Sequence, residues 1–338
     1  MKIVIISPAA LPVPPPNYGG IERVLYHLAN NLKDLCDVTI ICTKNSNLDR
    51  NKINVIETVE PNFTAENERL HFERYKDYIQ SLDDDSVILD HTWYGYVYLL
   101  QRSSENDMHI IHTHHGLMLW RTLPIPYPRI VAVSNLHADH IVNTYAPAIV
   151  IHNGLDLQYK EYAQDDYYLC LNRITSEKGI LNTIHLAQQK NLKLVIAGDD
   201  THSDKNYVDI VKMRCQNYHY DYYGLVDNDK RDELLKNCKA LITTPASNWV
   251  EAFGLNALEA QAYGKPVIAT ANGGLVDIIK HGITGYYSNM QDKLLGYLDQ
   301  VDNIKQSDCV NNAKNFDATI MAKKYYELAK KVLQGYKW

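Results

Sequence analysis

The sequence predicts an α/β protein built from two doubly wound, Rossmann-like domains with parallel sheets. Two observations carry this. The chain has 338 residues, beyond the roughly 250 to 300 at which a single hydrophobic core stops growing. Short β-branched runs, apolar throughout instead of alternating, recur with one helical segment or loop between them. Such runs fit parallel strands covered on both faces.

In the first half the expected strands are "KIVIIS", "VTIICT", "INVIE", "SVILD", "HIIHT", "RIVAVS" and "AIVIH". After the first of them a proline-stiffened loop leads to Gly19-Gly20 and then to "IERVLYHLANNL", which has helical periodicity. In the second half come "YYLCLN", "LKLVIAG", "YHYDYYG", "KALITTP" and "PVIAT". The boundary is expected after Asn153-Gly154, where a strand ends and a polar stretch begins, giving domains of residues 1–158 and 159–315. Asp83-Asp84-Asp85 reads as a solvated turn before a buried strand, because no other ligand-like group accompanies it.

Composition excludes several classes. With 46% hydrophobic and 22% charged residues the chain is of ordinary globular composition. A net charge of -6 gives no broad basic surface to displace counterions from a duplex, so no nucleic-acid partner is expected. No apolar run approaches the roughly 20 residues of a membrane span, and prolines interrupt the N-terminal apolar segment, so a cytoplasmic protein without a signal peptide is expected. The six cysteines are scattered with no CxxC pair, which favours reduced thiols over disulfides or zinc.

In doubly wound domains, ligands bind beyond the carboxyl ends of the strands. Polar residues just after a strand are therefore the site candidates. Gly19 and Gly20 open a helix whose N-terminus presents free N–H groups to an anion, although GxGxxG is absent and the loop is long for a dinucleotide turn. In "LCLNRITSEKGI", Arg173 and Lys178 are either two solvated cations or a pair that grips a diphosphate.

In "HIIHTHHG", His112, His114 and His115 end a buried strand. Ligands one residue apart on a strand point to opposite faces, so zinc is disfavoured; His112 reads as a core histidine and His115 as a hydrogen-bonding group in a cleft. His91, ending the neighbouring strand, and His114 are further cleft candidates.

Glu251 and Glu259 stand eight positions apart in "NWVEAFGLNALEAQAYGKPVIAT". The helix is expected to begin near Phe253 and to end at Gly264. Spacing alone leaves two readings: dipole-friendly solvated acids, or groups of a site.

Taken in order, "YGGIERVLYHLANNL", "HTHHG", "VAVSN" with "IHNGLDL", "LNRITSEKG" and "EAFGLNALEAQAYGKPVIATANGGLVDIIKHGITG" resemble the motifs of one family. It is the retaining glycosyltransferases of family 4, the glycogen-synthase-like and sucrose-synthase-like enzymes. The resemblance covers nearly the whole chain. It implies the GT-B fold, with the two domains facing across a cleft, and a closing helix at about residues 316–338, "NFDATIMAKKYYELAKKVL", that returns to the N-terminal, acceptor-binding domain.

It further implies a nucleotide-sugar donor, UDP-linked or GDP-linked, and a sugar, glycan or small-molecule acceptor. Glu251 would stabilise positive charge at the anomeric carbon, Glu259 would bind the nucleotide ribose, and backbone N–H groups at Phe253, Gly254 and Leu255 would hold phosphate or sugar. Arg173 and Lys178 would neutralise the leaving diphosphate, and His115 would contact a sugar hydroxyl, with His114 as fallback. No cofactor and no metal are expected. Asp277 stands where relatives more often carry Glu. The clearest amphipathic segment, "ENERLHFERYKDYIQSL", has mixed charges, so membrane association is not indicated, while a lipid-linked acceptor stays open. A nucleotide-sugar epimerase or hydrolase and a non-catalytic two-lobed sugar-binding protein are the alternatives.

Overall fold

The structure is a computed structural model that describes residues 1–17, 19–103, 107–116, 129–144, 147–201 and 203–338. Tyr18, which opens the "YGGIER" motif, lies outside the described residues.

The chain divides into two compact units, Met1–Asp156 with Asp317–Trp338, and Leu157–Phe316. The first holds β1 (Lys2–Ile6), β2 (Asp37–Cys42), β3 (Ile53–Glu57), β4 (Ser86–Asp90), β5 (Ile110–His114), β6 (Arg129–Ala132) and β7 (Ala148–Val150). They form one sheet in the order β3-β2-β1-β4-β5-β6-β7. The second holds β8 (Tyr168–Leu171), β9 (Leu194–Ala197), β10 (Asp221–Gly224), β11 (Ala240–Thr243), β12 (Val267–Ala269) and β13 (Gly285–Tyr287), in the order β10-β9-β8-β11-β12-β13.

Among the described residues every strand pairing within the two sheets is parallel, and in each sheet the strand order reverses direction once, between β1 and β4 and between β8 and β11. Both units are therefore doubly wound, as the unbroken apolar runs predict. All twelve expected strand segments form; β13 is an addition.

Packing follows from those runs. The inner residues Val4, Ile6, Ile88, Ile130 and Ala132 centre one core, and Cys170, Ile196, Ile242 and Ile268 the other. Full burial of each large aliphatic chain contributes about 1.5–3 kcal/mol. The helix Gly20–Leu32 buries Val24, Leu25, Leu28, Ala29 and Leu32, one stripe at helical spacing.

The C-terminal helix Ala318–Leu333 belongs to the first unit and packs on Gly20–Leu32. Its buried Tyr325 shares a hydrogen bond with Thr113 Oγ1 at 2.8 Å, and the Trp338 indole N–H donates to the Ile130 carbonyl at 2.9 Å. Among the described residues no helix is long and apolar enough to cross a membrane.

Candidate active site

In the second unit the switch point lies between β8 and β11, and the candidate residues collect beyond those strands' carboxyl ends. Arg173 follows β8 after one intervening residue, Asn172; its buried Nε has no hydrogen-bond partner among the described residues. Five residues on, Lys178 ends the short 3-10 turn Ser176–Lys178. Its ammonium donates to Glu251 Oε2 at 2.5 Å, with the two side chains only 14% and 13% exposed. Charge-assisted bonds of this kind are the strong ones.

The backbone of Glu251 is fixed on both sides. Its N–H donates to Asn272 Oδ1 at 2.9 Å, and its carbonyl accepts from the Gly274 N–H at 2.8 Å. The Asn272 amide in turn donates to the Trp249 carbonyl at 2.7 Å and the Ala246 carbonyl at 3.2 Å. The pair Gly273-Gly274 makes this contact feasible: a Cβ at Gly273 would come within 1.7 Å of the Glu251 carbonyl oxygen, and one at Gly274 within 2.5 Å of Phe253. The glycine pair thus serves the acid's placement.

The helix that follows runs Leu255–Ala262, two residues later than the expected start near Phe253. The reason is local. Gly254 takes φ +99 as its N-cap, and Phe253 turns inward against Phe316, with ring centroids 5.9 Å apart. Glu251 therefore sits in the loop before the helix, whereas Glu259 is on the helix. The Ala257 N–H bonds the Gly254 carbonyl at 3.0 Å, whereas the N–H groups that precede it in the first turn lack intrahelical acceptors, as at any helix start, and they follow closely on Glu251. At the other end Gly264, with φ +77, terminates the helix as expected.

Glu259 is 3% exposed and pairs with Arg231, Oε1 to Nη2 at 3.0 Å. Burial works against the Arg231 charge, but the Glu259 and Asp232 carboxylates outweigh it and hold the guanidinium pKa above its usual value. Arg231 was not foreseen from the sequence: in the charged helix "NDKRDELLKN" nothing marks one cation as the buried one.

In the first unit, Gly19 and Gly20 open the helix Gly20–Leu32 just after the loop that follows β1. Glu22, in that helix's first turn, is buried, and its carboxyl is pushed up to about 7, mainly by desolvation. Glu68, also buried, is pushed up to about 8, mainly by desolvation, while it accepts the Ala9 N–H at 2.8 Å.

The histidines gather beyond β4 and β5. His112 is a core histidine, its Nδ1 2.8 Å from Asp90 Oδ2, with both side chains buried. His115 Nε2 lies 2.8 Å from Nδ1 of His91. His114 Nδ1 lies 3.0 Å from Nε2 of His137, which is also 3.3 Å from the Gly116 carbonyl. His91 and His114 are buried, at 1% and 5% exposure, and His115 is the partly exposed member of the group.

Burial, reinforced by neighbouring histidines, pushes His114 and His115 well below the ordinary imidazole range and lowers His91 to about 3. All three are neutral at physiological pH. Nothing in the spacing pointed to His137; it sits on the helix Asn135–Thr144 one turn after "VAVS". Among the described residues no group of three or more His, Cys, Asp or Glu is placed to hold a metal ion.

Two parallel-sheet units of this topology are the fold of the GT-B glycosyltransferases. Sequence models agree: "Glycosyltransferase Family 4" matches residues 18–159 and "Glycosyl transferases group 1" matches residues 156–316. The chain belongs to the family-4 kind of GT-B glycosyltransferases.

It is 26% identical over 330 residues to the lipopolysaccharide 1,2-N-acetylglucosaminetransferase of Salmonella typhimurium, covering 85% of this chain and 84% of that one. It is 31% identical over 172 residues to an uncharacterised 41.2 kDa protein of the cps region of Klebsiella pneumoniae, covering 48% of this chain and 45% of that protein. The match thus spans under half of that relative's length.

Among solved structures, a sucrose-phosphate synthase from Thermosynechococcus elongatus shares the fold with TM-score 0.78 at 17% identity, over 99% and 100% of the two chains. HepE of Anabaena in complex with UDP-glucose shares it with TM-score 0.70 at 16% identity, over 98% and 100%.

Proposed function

We propose that this chain is a retaining, metal-independent glycosyltransferase that moves a sugar from a nucleoside-diphosphate sugar to an acceptor hydroxyl in glycan or glycoconjugate synthesis. UDP is the favoured nucleotide, with GDP the other choice; the UDP-glucose complex of the fold neighbour HepE supports that preference. The observation that carries the reading is the Lys178–Glu251 pair at 2.5 Å, which joins the segment after β8 to the loop between β11 and the helix Leu255–Ala262.

In this scheme Arg173, Lys178 and the N–H groups at Phe253, Gly254 and Leu255 take up the charge of the departing diphosphate, so no metal cofactor is required. Glu251 faces the sugar and stabilises positive charge at its anomeric carbon. The acceptor oxygen bonds to that carbon from the side the diphosphate leaves, and a leaving phosphate oxygen takes the acceptor's proton. Configuration is then retained. Glu259 hydrogen-bonds the ribose, as an acid does in dinucleotide-binding folds. His115, neutral, hydrogen-bonds a sugar hydroxyl. The first unit binds the acceptor.

The test begins with thermal-shift screening of UDP-, GDP-, ADP- and dTDP-sugars, because a ligand that binds only the native state raises the melting temperature. The stabilising donor is then supplied with candidate acceptors, and the product's anomeric configuration is read by NMR. Acceptor-dependent product with the donor's configuration supports the reading. Consumption of donor without acceptor, or an inverted product, contradicts it.

A further inference from the structure

The hydrogen-bonding state of His115 is set by a residue that is itself buried. His91 Nδ1 and His115 Nε2 are 2.8 Å apart and share one proton, since both rings are neutral. Two arrangements are open. Either His91 carries the proton on Nδ1 and donates, or His115 carries it on Nε2 and donates while His91 holds its own proton on its other nitrogen.

The other nitrogen decides between them. His91 Nε2 is buried and has no hydrogen-bond partner among the described residues. As a bare lone pair it forfeits one acceptor site; as an N–H it becomes an orphaned buried donor, the rarer and costlier condition. We infer that His91 is a positioning residue that donates from Nδ1 to His115 Nε2, fixing His115 as the Nδ1–H tautomer.

The backbone holds His91 in place for this. Its N–H donates to the Ile6 carbonyl at 3.0 Å, and its ring lies 5.9 Å from that of Tyr325, centroid to centroid. Burial supports the neutral state of both rings, lowering His91 to about 3 and His115 well below its usual range.

The adjacent histidine falls into the opposite state by the same reasoning. His137 Nδ1 is buried and unpartnered among the described residues, so its proton belongs on Nε2, within reach of both His114 Nδ1 at 3.0 Å and the Gly116 carbonyl at 3.3 Å. The Gly116 N–H also points to His114 Nδ1, at 3.4 Å. His114 Nδ1 is therefore an acceptor and its Nε2 carries the proton. Two consecutive histidines are held in opposite tautomers by two buried ones, because the tautomer of a neutral ring follows the bond its other nitrogen makes.

The consequence rests on the proposed function. With Nε2 occupied, His115 has Nδ1–H left, so it donates to a sugar hydroxyl oxygen and does not accept from one. His91 contributes through His115 and touches no substrate.

Long-range 1H–15N spectra of the full chain labelled with 15N-histidine distinguish the two tautomers directly, and His115→Gln assigns the His115 ring by the signals it deletes. The expected result is His115 with its proton on Nδ1, favoured on the order of tenfold, the ratio that an unmade buried N–H bond is worth. In His91→Leu, His115 should revert to the Nε2–H form that free histidine prefers. In His91→Asn, whose amide N–H stands near the position of ring Nδ1–H, it should stay Nδ1–H.

A parent protein with His115 protonated on Nε2, or a His91→Leu variant with His115 unchanged, overturns the inference. Should His91→Leu fail to fold, the parent spectrum alone decides. No sugar transfer enters this measurement, so a chain that shows the tautomer yet transfers nothing overturns the functional reading and leaves the tautomer assignment standing.

Discussion

Arg231→Met should destabilise the second unit by about 3–4 kcal/mol. The magnitude comes from the geometry of its pair with Glu259. The Glu259 side chain is 4% exposed and the Arg231 side chain 15%, at a separation of 3.0 Å. Breaking a buried pair by removing one partner typically costs about 3–5 kcal/mol, because the other charge is left uncompensated. Arg231 retains a solvent-facing edge, and its second partner Asp232 is 32% exposed, so that contact adds little and the lower part of the range applies.

Removing both charges tells the two contributions apart. Arg231→Met with Glu259→Gln takes away the stranded carboxylate and should recover at least half of the loss. The assay is urea unfolding at constant m-value, with any separate transition of the first unit left in place. An Arg231→Met variant within about 0.5 kcal/mol of the parent, the range of neutral surface changes, would refute the reasoning. So would a double variant no more stable than the single one.

Other outcomes follow from the same site. Glu251→Ala should lower kcat on the order of 10²-fold while leaving free nucleotide affinity nearly intact, the mark of an interaction made in the transition state. Glu259→Ala should instead weaken donor and free nucleoside diphosphate alike, so equal nucleotide-binding defects in steady-state and binding assays would undo the assignment. Activity should survive EDTA; loss on chelation restored by Mg²⁺ or Mn²⁺ would remove the metal-free mechanism. Glu22, held at about 7 by burial against an ordinary value of 4.5, gives stability that is full below pH 4.5 and is lost as pH rises through 7. Glu22→Gln should therefore abolish a fall of about 2.5 kcal/mol between pH 5 and 8. Parallel stability curves for variant and parent, measured by urea unfolding across that range, would contradict the assignment.

The fold was legible because parallel strands covered on both faces must be apolar throughout, and a chain of such runs has few architectures open to it. β13 escaped because Gly285–Tyr287 is only three residues long and lies at the sheet edge beside β12, so its sequence carries no long apolar run. The residue types of the candidate site were legible, but their pairing was not. "EAFG" and "NRITSEKG" mark an acid and two cations, yet the 2.5 Å contact joins Lys178 and Glu251 across 73 positions, which no local spacing encodes.

Partners supplied by the interior were hidden for a related reason. Arg231 and His137 sit on helices whose polar residues look alike in sequence, and only the packing shows which of them turns inward. The helix start moved from Phe253 to Leu255 because Phe253 found a tertiary partner in Phe316, a preference that local capping rules do not contain.

Calorimetric titration of UDP, GDP, ADP and dTDP against the parent and Arg173→Ala bears most directly on the donor site proposed for the second unit. Arg173 has a buried Nε with no hydrogen-bond partner among the described residues, and a leaving diphosphate would offer that N–H an acceptor. One of the four nucleotides should bind the parent, and Arg173→Ala should weaken that binding by about 1.5–3 kcal/mol, the range for a hydrogen bond to a charged group. Binding of none of the four, or equal affinity in parent and variant, would contradict a diphosphate site at the carboxyl end of β8.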